Sequence, residues 1–242
     1  MQILIPMGGA GSRFSAAGFE DPKPFIEFLG KTMIENVVEN LGYRNDYIMV
    51  MQSNHYKEYN EIFTKIAQKV SGFDAILLNG LTKGATESCL AAEDKLDPDS
   101  MLMIANCDQI TEFNHTDFKS WLLNSNLDGA IMTFDSQSDK MSYAELDSDG
   151  LVCRTVEKQV ISPHATSGIY VWRKAGDFIK AAKQLIDDEL KTNGEYYVAP
   201  VYNINIRWGQ KIGIYHVREH HSVGSPQELT KYLDYLLMKD KK

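Results

Sequence analysis

The chain has 242 residues, with 25 Lys and Arg against 33 Asp and Glu, a net charge of −8. That balance excludes a protein built to hold an extended polyanion, which needs a basic stripe, and a 43% hydrophobic share excludes wholesale disorder. The cysteines Cys89, Cys107 and Cys153 form no C-x-x-C pair, so neither a disulfide framework nor a structural zinc site is expected.

In chain order, Ile3-Leu4-Ile5 predicts a first strand, followed by a glycine-rich turn. Gly30-Lys31 predicts a turn, and Thr32 opens a helix to Leu41 with Met33, Ile34, Val37, Val38 and Leu41 on one face. Tyr47–Met51 reads as a strand. Tyr56–Val70 reads as one helix, with Ile62, Ile66 and Val70 at i, i+4 and i+8. A strand at Ala75–Leu78, a helix at Ala85–Leu96, a strand at Met101–Ala105, a helix over 116–124 and a strand at Ala130–Phe134 follow. This alternation predicts an α/β fold in which helices cover a largely parallel sheet. Ligands of such sheets bind beyond the carboxyl ends of the strands, which directs attention to the loops 6–14, 52–55, 79–86 and 106–110.

After residue 134 the rhythm changes. Asp135–Ser142 is polar and reads as a mobile loop. Ala144-Glu145-Leu146 and Leu151–Glu157 read as antiparallel strands joined by the turn Asp147-Ser148-Asp149-Gly150. A strand at Ser167–Trp172, helices over 176–190 and about 198–208, a strand over 211–217 and a helix over 226–238 complete the chain. The charged tail Lys239–Lys242 is expected to fray. The N-terminal apolar run is too short for a signal peptide and no stretch is long enough to span a membrane, so a cytoplasmic protein is expected.

The most informative segment is Gly8-Gly9-Ala10-Gly11-Ser12-Arg13-Phe14. Glycine permits close backbone approach and positive φ, and successive exposed N–H groups form an anion nest. Arg13 supplies a bidentate phosphate partner. A dinucleotide fingerprint starting at Gly9 fails because Phe14 stands where glycine is needed, and a Walker-type reading of Gly30-Lys31-Thr32 fails at Phe25. Pro22-Lys23-Pro24 stiffens the backbone around one ammonium and can aim it at phosphate oxygens. Asp108, at a strand end, is a hard oxygen donor of the kind Mg²⁺ takes. Cys107 reads as packing. Glu219-His220-His221 is not read as a metal site, since adjacent residues on a strand face opposite ways.

Together, Gly8-Gly9-Ala10-Gly11-Ser12-Arg13 and Pro22-Lys23-Pro24 resemble the paired signature of the sugar-phosphate nucleotidylyltransferases. The resemblance extends over about residues 2–235. It takes in Leu29–Ile34, Thr82-Lys83-Gly84-Ala85, Asn106-Cys107-Asp108, Glu157-Lys158, Ala165–Tyr170, Gly194-Glu195 and Gly224-Ser225-Pro226-Gln227. It implies a Rossmann-like mixed, mostly parallel central sheet with helices on both faces, of the nucleotide-diphospho-sugar transferase type. It also implies a single domain over 1–242, with a nucleotide-binding half at 1–112 and an acceptor-binding half at 113–238. By the same resemblance, Arg13, Lys23 and Asp108 are catalytic, with Asp108 on Mg²⁺. Met7, Gly8, Gly9, Ala10, Gly11, Ser12, Gly80, Thr82, Gly84 and Ala85 hold the nucleotide, and Glu157, Lys158, Gly168 and Glu195 hold the acceptor. Two departures mark an outlying subfamily: Ser222 stands where many relatives carry a second metal-binding aspartate, and Gln159 replaces the proline of E-K-P.

The activity implied is transfer of NMP from a nucleoside triphosphate to a sugar 1-phosphate. Pyrophosphate is released, and the NDP-sugar formed serves surface polysaccharide or glycoconjugate synthesis. No nucleic-acid or membrane partner is expected, and a homo-oligomer is compatible. Two alternatives stay open: a cytidylyltransferase acting on a non-sugar phosphate such as phosphocholine or a phosphorylated amino acid, and a non-catalytic nucleotide-sugar sensor. A membrane glycosyltransferase is disfavoured by Asn106-Cys107-Asp108, which is not Asp-x-Asp. The small residues Gly84 and Ala85 suggest a pyrimidine base.

Overall fold

The computed structural model describes residues 1–239; the end of the predicted frayed tail, 240–242, lies outside the described residues. In chain order the elements are β1 (Gln2–Pro6), α1 (Ser12–Ser15), β2 (Glu27–Phe28), β3 (Lys31–Thr32), α2 (Met33–Leu41), β4 (Asp46–Gln52), α3 (Ser53–Glu58), α4 (Asn60–Lys69), β5 (Gly72–Leu78), α5 (Ala85–Leu90) and β6 (Leu102–Ala105). They continue with β7 (Gln109–Glu112), α6 (His115–Asn124), β8 (Gly129–Asp135), β9 (Ser142–Leu146), β10 (Val152–Glu157), β11 (His164–Trp172), α7 (Ala175–Asp187), α8 (Val201–Arg207), β12 (Ile212–His216), β13 (Glu219–Ser222) and α9 (Pro226–Lys239).

Nine strands form one mixed sheet. Its parallel half runs β6-β1-β4-β5. β11 joins β6 antiparallel and pairs β8 antiparallel in turn, and β12 lies parallel to β8. β9 and β10 form an antiparallel pair attached to the start of β11. Alternating side chains divide the core into two layers, as a strand's period of two requires. Ile3 and Ile5 of β1 face one layer with α2, α4, α6 and α9; Leu4 faces the other with α5, α7 and α8. Helices therefore cover both faces, as expected.

Local chemistry explains several boundaries. Thr32 caps α2 through a capping box: its hydroxyl accepts from the Glu35 N–H, and the Glu35 carboxylate accepts from the Thr32 N–H at 3.0 Å. The single helix expected over 56–70 is two, broken at Tyr59, which donates to Asp21 Oδ1 at 2.7 Å and stacks on Phe25 at 3.9 Å. The helix expected over 85–96 stops at Leu90. The Gln2 side chain then pins the chain ahead of β6, donating to Lys95 O at 3.0 Å and accepting from Asp97 N at 2.8 Å. The helix expected from about 198 begins at Val201. β13 pairs with β7 across more than a hundred residues, a contact that local pattern does not signal.

Candidate active site

The carboxyl ends of β1, β4, β5 and β6 converge on one edge of the sheet. Met7 is buried and its N–H donates to Val50 O at 2.8 Å, so the glycine loop leaves β1 still attached to β4. Gln52 Nε2 donates to Gly8 O at 2.7 Å and to Gly80 O at 3.1 Å, tying that loop to the one after β5. Gly11 has φ 61°, and a Cβ there would lie 3.3 Å from Lys23 Cβ. Phe14 is fully buried and anchors the short α1 turn. The loop is thereby folded back against the Pro22-Lys23-Pro24 segment.

Lys23 donates to Asp108 Oδ2 at 2.7 Å. Asp108 is buried, held by its own carbonyl, which accepts from Val223 N–H at 2.9 Å. A Cβ at Gly224 would collide with Asp108 Oδ2, so only glycine fits above the carboxylate. Arg13 lies beside it, 3.7 Å from Glu228, with a side chain that is 60% exposed and free to move. Burial works against the charge on both Lys23 and Asp108, but their contact outweighs it: the Lys23 pKa is raised and the Asp108 pKa lowered, so the pair is ionic. Burial pushes the Cys107 thiol up to about 11 despite Lys23 nearby, which leaves it as packing.

A cleft of about 280 Å³ opens beside Lys23, lined by Met7, Gly8, Gly9, Ala10 and Lys23 together with Thr82, Gly84, Ala85 and Glu195; Asp108 does not line it. Gly11, with Gly9 and Ala10, lines an adjoining cleft of about 370 Å³. Ser12 and Gly80 line neither. Thr82 Oγ1 donates to Gly84 O at 3.0 Å. A Cβ at Gly84, where φ is 135°, would sit 2.5 Å from Tyr196 O. The smallness of Gly84 is therefore taken up by the Tyr196 backbone, and it ceases to argue for a pyrimidine.

Glu157 and Lys158 lie at the end of β10, apart from the glycine loop. Glu157 is buried and accepts from the Ser142 hydroxyl; burial raises its pKa, opposed by Ser142 and Lys158. Lys158 has left the strand: its φ is 55°, so the two side chains are not forced to opposite faces. Its ammonium donates to the Tyr197 hydroxyl at 2.6 Å, which raises its pKa against burial. Tyr197 follows Tyr196 and Glu195, so the segment 195–197 links the two groups of residues. Gly168, at φ 77° in an irregular stretch of β11, faces Asn106: a Cβ there would lie 2.6 Å from Asn106 Nδ2.

Gln52 and Tyr197 escaped the sequence reading as individuals. Gln52 falls in a loop that the sheet rule marks, whereas Tyr197 has no periodic or motif signal. His220 Nδ1 meets Thr111 Oγ1 at 3.0 Å and the His221 ring lies tilted against Tyr235 at 4.3 Å, while the Nε2 atoms of both are buried with no partner among the described residues.

The donor set around Asp108 suits a hard divalent ion. Asp108 Oδ1 receives only a 3.3 Å contact from Gln109 Nε2, and Gln109 Oε1 is buried with no partner among the described residues. Mg²⁺ commonly takes one or two carboxylates together with substrate phosphates and waters. Ser222, opposite Gln109 in the β7–β13 pairing, adds a hydroxyl and no second carboxylate.

Residues 3–198 match the model of the nucleotidyl transferase family. Over 179 residues the chain is 26% identical to the mannose-1-phosphate guanylyltransferase catalytic subunit beta of Dictyostelium discoideum; the match covers 71% of this chain and 49% of that protein, so the chain spans about half its length. The solved structure of a nucleoside-diphosphate-sugar pyrophosphorylase from Vibrio cholerae RC9 superposes with TM-score 0.83 at 25% identity, covering 96% of this chain and 99% of that one. The inositol-1-phosphate CTP transferase from T. maritima shares the fold at TM-score 0.75 and 13% identity, covering 100% of this chain and 96% of that one.

Proposed function

Because the chain belongs to the nucleotidyl transferase family, we propose that it moves NMP from a nucleoside triphosphate to a sugar 1-phosphate. The observation that carries this reading is the Lys23–Asp108 contact at 2.7 Å, with Lys23 lining a cleft walled by the glycine loop. An acceptor phosphate oxygen attacks the α-phosphorus in line, the bond from that phosphorus to the bridging β-phosphate oxygen breaks, and pyrophosphate leaves. The acceptor is already a nucleophile, so catalysis rests on positioning and charge neutralisation.

Each residue then has a task. Main-chain N–H groups of Gly8 to Ser12 cradle the phosphates, and exposed Arg13 swings to clamp the β- and γ-phosphates. Lys23 exchanges Asp108 for the α-phosphate and the incoming acceptor oxygen. Asp108 and Gln109 Oε1 would hold Mg²⁺, which when bound neutralises charge at the α-phosphate. Thr82, Gly84 and Ala85 border the base, and Gly80, held by Gln52, fixes the loop that carries them. Lys158 holds the acceptor phosphate, Glu157 and Glu195 read its polar groups, and Gly168 keeps that wall close to Asn106.

In this reading residues 1–112 serve the nucleotide and 113–238 the acceptor. No helix among the described residues is long and apolar enough to cross a membrane. Cytoplasmic supply of NDP-sugar for surface polysaccharide or glycoconjugate synthesis fits the chemistry. One observation favours a second acceptor class: the carboxylates of Glu157 and Glu195 stand beside Tyr197, whose hydroxyl holds the Lys158 ammonium at 2.6 Å. A phosphorylated amine such as phosphocholine suits that surface.

The test is a panel of the four ribonucleoside triphosphates and dTTP against sugar 1-phosphates and phosphocholine, scored by pyrophosphate release with Mg²⁺. Release with one triphosphate and one sugar 1-phosphate is expected. Release with phosphocholine alone would move the assignment to the second class, and nucleotide binding without release across the panel would make the protein a sensor.

A further inference from the structure

Asp135, His164 and His216 come from three adjacent strands at the rim of the sheet. His164 is opposite Asp135 in the β11–β8 pairing, and His216 is opposite Thr133 in the β12–β8 pairing. Thr133 and Asp135 are two apart on β8, so all three side chains stand on one face. One ligand atom from each lies within 4.8 Å of the others; among the described residues this is the one such group of three His, Cys, Asp or Glu. His216 Nε2 is 4.0 Å from Asp135 Oδ2.

We propose that Asp135, His164 and His216 bind a borderline divalent transition metal ion such as Zn²⁺, at a site separate from Asp108. Two imidazoles and one carboxylate suit Zn²⁺, whereas Mg²⁺ favours oxygen donors throughout. Tetrahedral coordination places donors about 3.3 Å apart, from metal–ligand bonds of about 2.0–2.1 Å. Against separations of 4.0 Å and up to 4.8 Å, this needs closure of up to about 1.5 Å. Asp135 and His216 side chains are 76% and 43% exposed, so rotation can supply it.

One independent observation points the same way. His164 Nδ1 is buried and has no hydrogen-bond partner among the described residues, as does the hydroxyl of Thr133 beneath His216. The backbone around the group is held: Ser136 N–H donates to Pro163 O at 3.2 Å, His164 N–H to Ser162 Oγ at 3.1 Å, and Ser162 Oγ to Ala144 O at 2.6 Å. An ion here would join the ends of β8, β11 and β12. It would also anchor one end of the 136–141 loop, whose other end contacts the acceptor wall through Lys158 N–H on Met141 O.

The experiment strips the 242-residue chain of metal and titrates Zn²⁺ against a chromophoric chelator in excess Mg²⁺. One equivalent is expected to bind saturably, with His164→Ala and His216→Ala each weakening it at least about tenfold. Asp108→Asn should leave Zn²⁺ affinity unchanged. Asp135→Asn, on a solvated side chain, tests the third ligand without disturbing the sheet, and the Co²⁺-loaded wild type should show tetrahedral ligand-field bands. Undiminished Zn²⁺ binding in the His164→Ala/His216→Ala double variant, or no saturable binding by the wild type, would overturn the proposal.

Discussion

At the scale of single residues, the decisive pair is Lys23 and Asp108. Sequence reasoning assigned each a task but did not place them in contact. Their 2.7 Å contact means that neither can be removed without leaving the other buried and charged. Lys23→Ala should therefore lower kcat far more than nucleotide affinity and also cost roughly 2–3 kcal/mol of stability. Asp108→Asn should abolish Mg²⁺-dependent turnover. The double variant Lys23→Met/Asp108→Asn should regain stability over Lys23→Ala while remaining inactive, measured by urea unfolding beside pyrophosphate release. Equal stability of Lys23→Ala and wild type would show that the pair is not coupled. Motif spacing singled out both residues, because phosphate chemistry calls for a lysine and a carboxylate. It could not show that they neutralise each other, because that depends on β6 ending beside the Pro22–Pro24 turn.

At the scale of elements, amphipathic periodicity located the helices and strands well where one face is buried. It failed at Tyr59, where a tyrosine prefers Phe25 and Asp21 to helix continuity. It failed again at Leu90, beyond which the Gln2 side chain sets the chain's path into β6. The segment 192–199 shows the same limit: nothing periodic places it, yet Tyr196 N–H donates to Lys83 O at 2.8 Å and Thr86 N–H to Tyr196 O at 3.0 Å. These bonds close the cleft wall, and they need the missing side chain of Gly84. Gly84→Ala should cost about 2–3 kcal/mol, the range of overpacked and conformationally strained sites. It should also raise the KM for the triphosphate through displacement of Thr82, whose hydroxyl donates to Gly84 O. Thermal unfolding and steady-state kinetics check both, and an unperturbed KM would detach segment 192–199 from the nucleotide wall.

At the scale of the whole molecule, burial of histidines sets the acid limit of stability. His220 packs on Phe134 at 4.2 Å, and burial, with His221 nearby, pulls its pKa down to about 3 from 6.5. His55, His115 and His221 are lowered in the same direction, each by burial first. A depressed folded-state pKa gives stability that is fully present above the unfolded value, near 6.5, and is lost as pH falls toward the folded value. The wild type should therefore lose stability between pH 7.5 and 5, with about 1–2 kcal/mol of the loss traceable to His220. His220→Phe should flatten the urea-midpoint curve over that range, and an unchanged slope would assign the acid loss elsewhere. The net charge of −8 takes on a narrower meaning at this scale. It is compatible with a phosphate ligand because one ligand needs only a local cluster, and Arg13 and Lys23 stand together beside Asp108.

The sequence alone determined the fold class and singled out the glycine loop, Lys23 and Asp108. Those depend on local quantities: the period of buried side chains, the conformations open to glycine and proline, and the charge a phosphate requires. Only the tertiary structure decided that Lys23 meets Asp108, that Gly84 admits Tyr196, that Lys158 turns out of its strand onto Tyr197, and that Asp135, His164 and His216 meet at one rim. Each of these joins residues far apart in the chain, and strand register, which no local window contains, is what brings them together.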